Sequence, residues 1–286
     1  MKEIRMKSLL VALALLAAPA KADGICVPAG QWQAGTTALA PAAVTPKLAA
    51  NRVILLGEQH ATPAHHAWHA ATVARLLDAG KPVVIGIEYL PRSMQPVLDE
   101  WVAGKLTPEE FFAKSRWAEL WRHDFAAYRP LLDLARDRKV PMVALNIERD
   151  FIRSVSKLGF DGAAAAWPGG APVGKPAAAD QAYLDSLENV FRQHAREASP
   201  EAVARFVEAQ TVWDRAFAEG LQGALKANPG AVAAGVMGQG HVEFGHGAAH
   251  QLKALGTGPV LTAVPVGANP PCNTQPGAAD LLYGIG

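Results

Sequence analysis

Five short apolar runs restrict the fold of this chain more than anything else in it. They occupy 53–56, 83–87, 140–145, 232–237 and 260–264, and none alternates polar with apolar residues. A strand with one face in water alternates with a period of two. A strand covered on both faces does not, and such strands belong to parallel sheets with helices on either side. The stretches between the early runs have helical spacing: 63–78, stopped by Gly80, then 93–103, 108–121 and 125–138. Thr107-Pro108-Glu109-Glu110 has the form of a helix start, a hydroxyl cap followed by proline and two acids in the first turn. The pattern predicts an α/β fold with a central, mostly parallel sheet flanked by helices. After the third run the rhythm breaks. Residues 162–179 are rich in Ala, Pro and Gly and read as a surface loop, while 181–195 and 200–226 read as two long helices. They predict a helical-hairpin insertion over about 178–228 that caps the sheet before the fourth core strand. There is no internal repeat.

The N-terminus has a different character. Lys2, Arg5 and Lys7 precede an apolar stretch over 9–18, and Ala20-Lys21-Ala22 supplies small residues for cleavage. This reads as a secretory signal peptide over 1–22, followed by an extended leader over 23–48 and a single domain over 49–286. The expected location is the periplasm or the exterior. The body has no apolar run of 18 residues, so no spanning helix is expected there. A formal charge of +1 gives no electrostatic case for nucleic acid. Cys26 and Cys272 are the two cysteines. In an exported protein such a pair suggests a disulfide, here worth up to roughly 5 kcal/mol by loop closure. Two unpaired thiols are the alternative. Asp23-Gly24-Ile25 before Cys26 lacks the small-residue context of a lipid-anchor site.

In a parallel sheet the residues just past each run share the carboxyl edge, where ligands of open α/β sheets bind. The first run is followed by Glu58 and His60, the second by Glu88 and Tyr89, and the third by Asn146 and Glu148. The fourth is followed by Gly238-Gln239-Gly240-His241, with His246 close behind. Four distant segments thus bring Glu58, His60, Glu88, Asn146 and His241 to one cleft. His65, His66 and His69 follow on the helix after the first run, but the glutamate of an HExxH zinc motif is missing. The partners expected for Glu58 are therefore Glu88, Asn146 and His241 rather than these adjacent histidines. His60 and His241 are the metal candidates. The glycines around His241 lack the Lys-Ser/Thr of a phosphate-binding loop. Each residue also has a structural reading. Glu58 could cap a helix, His60 could bond a backbone carbonyl, Glu88 could pair with Arg92 or Arg149, and Asn146 could serve only as a hydrogen-bonder. Trp101, Trp117, Trp121, Phe111, Phe112, Phe125 and Tyr128 read as helix packing, or as an aromatic wall for a flat apolar ligand.

Six motifs in order carry a resemblance. They are Leu55-Leu56-Gly57-Glu58-Gln59-His60 with His65-His66, Gly86-Ile87-Glu88, Tyr128-Arg129-Pro130-Leu131-Leu132, Ala144-Leu145-Asn146, Glu208-Ala209-Gln210-Thr211-Val212-Trp213-Asp214-Arg215 and Gly238-Gln239-Gly240-His241-Val242. From about Asn51 to Val266 the chain resembles the ChaN-type haem-binding uptake family, in the larger group that contains TIKI proteases and erythromycin esterases. The resemblance implies an exported α/β protein that handles haem or iron, with two cofacial haems in a dimer and tyrosine as axial ligand. Tyr89 and Tyr128 are the tyrosines nearest the expected cleft. The partners implied are haem, a second copy in a homodimer, and a haem-uptake receptor or transporter. Family members are often lipoproteins, and this chain departs from that. The haem reading gives Glu58, His60, Glu88, Tyr89, Tyr128, Asn146 and His241 as the binding residues. The alternative is a metal-dependent or Glu/His-dependent esterase or peptidase. There Glu58 is a general base, His60 and His241 bind a divalent metal or polarise a carbonyl, and Glu88 completes the catalytic set.

Overall fold

The apolar runs become strands buried on both faces, and the alternation of their side chains decides which helices cover which side. The computed structural model describes residues 24–60, 62–194 and 199–286, the side chain of His194 excepted. The signal peptide expected over 1–22 lies outside the described residues. The elements run β1 (Trp32–Ala34), β2 (Thr37–Leu39), α1 (Pro41–Ala49), β3 (Val53–Glu58), α2 (Pro63–Asp78) and β4 (Val83–Pro91). Then come α3 (Gln95–Val102), α4 (Pro108–Lys114), α5 (Trp117–Leu120), α6 (Phe125–Arg138), β5 (Met142–Asn146) and α7 (Arg149–Ala166). The chain ends with α8 (Gln181–His194), α9 (Pro200–Ala227), β6 (Val232–Gly238), α10 (Ala248–Ala254), β7 (Val260–Gly267) and β8 (Leu281–Ile285). One sheet has the order β2-β1-β8-β7-β3-β6-β4-β5. The six strands from β8 to β5 are parallel, and β1 joins β8 and β2 antiparallel. The α/β expectation holds.

Ile54 and Leu56 pack against Trp68, Val73 and Leu76 of α2, with Trp101, Leu131 and Leu132 in the same core. Val53 and Leu55 point the other way, into Phe217, Leu221 and Leu225 of α9 and Leu252 of α10. Two glycines make the approach of α9 possible. Gly86 and Gly235 are paired across β4 and β6. A Cβ at Gly86 would stand 2.7 Å, and one at Gly235 2.9 Å, from the side chain of Leu221. The missing side chains form a socket for that leucine.

Several expectations need correction. The segment expected as an extended leader over 23–48 is folded from residue 27 on. It forms β1, β2 and α1, and buries Val27, Trp32, Val44 and Leu48. The strands have three residues each, too short to show a period. α9 is more than a cap. Its first half holds α8 and a satellite core with α7, and its second half lies against the sheet. The loop expected over 162–179 begins later, because α7 continues to Ala166 past a break at Gly159 (φ 74°). β8 was missed. Cys26 and Cys272 are disulfide-bonded with a Cα–Cα distance of 5.3 Å. The bond ties the stretch before β1 to the β7–β8 connection, where Ile25 also bridges Thr274. No helix among the described residues is long and apolar enough to cross a membrane.

Candidate functional site

Glu58 is the last residue of β3, and its carboxylate lies 1 % exposed beneath the carboxyl edge of the sheet. Gly57 before it is required by close packing, since a Cβ there would meet the Val264 side chain at 2.9 Å. Four side chains gather on the carboxylate. The imidazole Nδ1 of His60 lies 2.8 Å from Oε1. The Tyr89 hydroxyl donates to Oε2 at 2.8 Å, and Nδ1 of His66 and of His69 lie 3.2 and 3.5 Å from that oxygen. Burial opposes the charge, but the hydrogen bonds from His60 and His66 outweigh it. They hold the carboxyl well below the usual range.

α2 supplies three of the histidines, and they part company at once. His65 accepts a hydrogen bond from the Gln59 N–H at 3.0 Å, and burial pushes its pKa down to about 4. Burial does the same to His69, also to about 4. Two of the adjacent histidines that the sequence set aside, His66 and His69, thus prove to be partners of Glu58. Glu88, Asn146 and His241 stand beside the carboxylate rather than on it.

Glu88 lies within β4, which runs past its pairing with β6 and shifts register against β5 between Ile87 and Pro91. Its Oε2 accepts the Gly238 N–H at 2.7 Å. Neither Arg92 nor Arg149 is its hydrogen-bond partner: both guanidinium groups donate to backbone carbonyls, Arg92 to Pro172 and Ala216, Arg149 to Leu120. A Cβ on Gly238 would stand 3.1 Å from Nε2 of His60 and 3.6 Å from Oε2 of Glu88, so this glycine lets the two approach. Asn146 ends β5 as a structural clamp. Its amide donates to the Glu88 carbonyl at 2.9 Å, and its Oδ1 accepts from Ile147 N–H and the Trp213 indole.

His241 follows β6, and its Nδ1 lies 2.7 Å from Oδ1 of Asp214 on α9. The Tyr183 hydroxyl donates to the other oxygen of Asp214 at 2.8 Å. Burial alone would lower the pKa of His241, but the charge and hydrogen bond of Asp214 raise it to about 9. His60 is raised too, because Glu58 and Glu88 outweigh its burial. His123, on the loop before α6, is lowered by burial and by the charge of His60, and its ring lies 5.6 Å from that of His60 and 5.2 Å from Trp121.

Glu88 and His241 open onto a cleft of about 390 Å³ walled by Trp121, Trp213 and Ile152, with Arg149 and Arg153 in its lining. His60 reaches its edge, with a side chain 33 % exposed against the Trp121 ring. The Trp121 indole N–H is buried without a hydrogen-bond partner. Tyr89 is 2 % and Tyr128 0 % exposed, so both lie inside the wall of the cleft rather than on it. Burial, with Glu58 beside it, raises the Tyr89 phenol far above its usual value. Of the remaining aromatics, Trp101, Phe111 and Trp117 are core. His246 and His250 bind Asp180 and the Ala178 carbonyl and fasten the segment before α8. His60 and His241 are each tied to their own carboxylate. The compact set of metal-ligating atoms among the described residues is instead Glu58, His66 and His69, within 4.8 Å of one another.

Sequence reasoning missed Asp214 and His123. Asp214 had a signal: with Phe217 and Leu221 it lies at i, i+3 and i+7 on the buried stripe of α9, where an acid needs a partner. His123 had none, since a loop histidine has no period to betray it.

A search of curated protein sequences finds no match. Among solved structures, that of cofacial haem binding to ChaN of Campylobacter jejuni aligns with TM-score 0.70 at 15 % identity, covering 88 % of this chain and 95 % of that one. A type III effector aligns with TM-score 0.47 at 10 % identity over 85 % and 91 % of the two chains. An erythromycin esterase in its open conformation aligns with TM-score 0.47 at 13 % identity over 79 % and 72 %. The family described as haem-binding uptake, Tiki superfamily, ChaN matches residues 44–252, and the protein belongs to that family.

Proposed function

We propose that this protein binds haem in the cleft beside β4 and β6 and handles it outside the cytoplasm. The observation that carries the reading is the cleft itself. Two indoles face an opening of about 390 Å³, a size suited to a flat cofactor, with two arginines and the imidazole of His241 in its lining. Trp121, Trp213 and Ile152 would cover the apolar ring, and Arg149 and Arg153 would hold the propionates by charge-assisted bonds. The family resemblance points to a tyrosine on the iron, but the Tyr89 hydroxyl is committed to Glu58 and Tyr128 is fully buried. His123 suits the role better. It is half-buried with its ring 5.2 Å from that of Trp121 in the cleft wall, and its pKa is lowered, which favours the neutral imidazole that an iron takes, whereas that of His241 is raised to about 9. Haem, when bound, supplies the iron chemistry. The residues here bind, orient and shield it. The disulfide favours an oxidising compartment, and a second copy of the chain could cover the outer face of the haem before transfer to a receptor or transporter. Titration with haemin tests this. Wild type is expected to shift and retain the Soret band, His123→Ala to change its position, and Arg149→Ala with Arg153→Ala to weaken binding about tenfold. A wild type that retains no haem sinks the proposal.

A second reading has its own support. Two histidine–carboxylate pairs, His60 with Glu58 and His241 with Asp214, border one cleft on either side of Glu88. A protonated His241 could stabilise an oxyanion while His60 moves a proton, as in ester or peptide hydrolysis. Cleavage of a panel of esters by wild type, lost in His60→Ala, supports it. An inactive wild type removes it.

A further inference from the structure

The Glu58 cluster contains a conflict that hydrogen bonding within the chain leaves open. His69 is 0 % exposed, and its Nε2 lies 3.2 Å from the carbonyl oxygen of Gly57. A carbonyl only accepts, so Nε2 carries the proton and Nδ1 of the neutral ring is a bare lone pair. That Nδ1 has no hydrogen-bond partner, yet it faces Oε2 of Glu58 at 3.5 Å. Two acceptors face each other where water does not reach, an arrangement that costs free energy unless something positive joins them. Nδ1 of His66 reaches the same oxygen at 3.2 Å from the same helix.

We propose that Glu58, His66 and His69 form a buried site for a divalent first-row transition metal of the zinc class. The three ligand atoms lie within 4.8 Å of one another, and all three residues are buried. Two imidazoles and one carboxylate are a ligand set that such ions favour. The surroundings act as outer supports of a metal site do. The Gly57 carbonyl fixes the His69 tautomer and turns Nδ1 inward, while the Tyr89 hydroxyl fixes the carboxylate. Held by the carboxylate and the two imidazoles, the ion neutralises the carboxylate and pairs the orphaned lone pair of His69 Nδ1. It would fasten α2 to the end of β3 and so set the position of His60 at the cleft edge. Its role is structural, because the cluster is closed to solvent. None of its three ligands is among the residues that the haem proposal uses.

The full chain, stripped with chelator and then given Zn²⁺ or Co²⁺ alone, tests this. After dialysis about one equivalent of metal should remain, with visible Co²⁺ bands of nitrogen–oxygen coordination. Added Zn²⁺ should raise the melting temperature of wild type but not of His69→Ala. His69→Leu, which fills the space with an apolar side chain, guards against loss of folding. It should fold and bind no metal. His241→Ala, which touches none of the three ligands, should bind metal as wild type does. Stripped wild type that takes up no metal, or metal lost in His241→Ala and kept in His69→Leu, overturns the proposal.

Discussion

A carboxylate as buried as Asp214, 0 % exposed on a helix that faces the core, must be neutral or compensated. His241 compensates it, and the pair illustrates how one missed residue sets the charge of one found. Because His241 is raised to about 9 in the fold from 6.5 unfolded, its contribution to stability is complete below pH 6.5 and is lost as pH rises through about 9. In Asp214→Asn that dependence should vanish. The His241 resonance should titrate at least one unit lower by NMR, and stability at neutral pH should fall by on the order of 2 kcal/mol. An unchanged His241 titration would show that Asp214 does not govern it. The sequence marked His241 because it follows an apolar run. Asp214 lies 27 positions away in sequence, and only the approach of α9 to β6 makes them a pair.

At the scale of elements, the contact of α9 with the sheet rests on Gly86, Gly235 and Leu221. Gly235→Ala introduces a methyl 2.9 Å from Leu221 and 3.0 Å from Leu55, so overpacking should cost about 1–3 kcal/mol in urea denaturation. Part of that cost should disappear in a Leu221→Ala background, and strictly additive losses would show that the socket is not the cause. The strand cores were legible here because a fully buried strand is apolar at every position. The β4 extension through Glu88 and Tyr89 was not, since polar residues end an apolar run whether or not the backbone stays extended. The same blindness hid β1 and β2, whose three-residue length leaves no pattern to read.

Over the whole molecule, the Cys26–Cys272 bond spans a separation of 246 residues and fastens the antiparallel edge of the sheet to the β7–β8 connection. Loop closure of that length is worth up to roughly 5 kcal/mol in the chain-entropy account. Cys26→Ser, or reduction of wild type, should therefore lower the guanidinium midpoint by an amount equivalent to about 2–5 kcal/mol. The loss should fall on β1, β2 and β8 first, read by hydrogen exchange, while β3, β4 and β6 keep their protection. Uniform loss across the sheet would mean that the edge and the centre unfold as one unit.

The sequence by itself determined the α/β class, the parallel core and the sheet edge at which polar residues gather. Those follow from local rules: burial on both faces removes alternation, and a parallel sheet puts every strand end on one side. It also placed Glu58, His60, Glu88 and His241 near one cleft, because each closely follows an apolar run. What only the tertiary structure decided is who touches whom. Glu58 sits on His60, His66, His69 and Tyr89, while Tyr89 and Tyr128 are buried. Side-chain direction at a strand end depends on the helix that packs over it. Here α2 turns back across β3, bringing His66 and His69 to the carboxylate just before them in the chain.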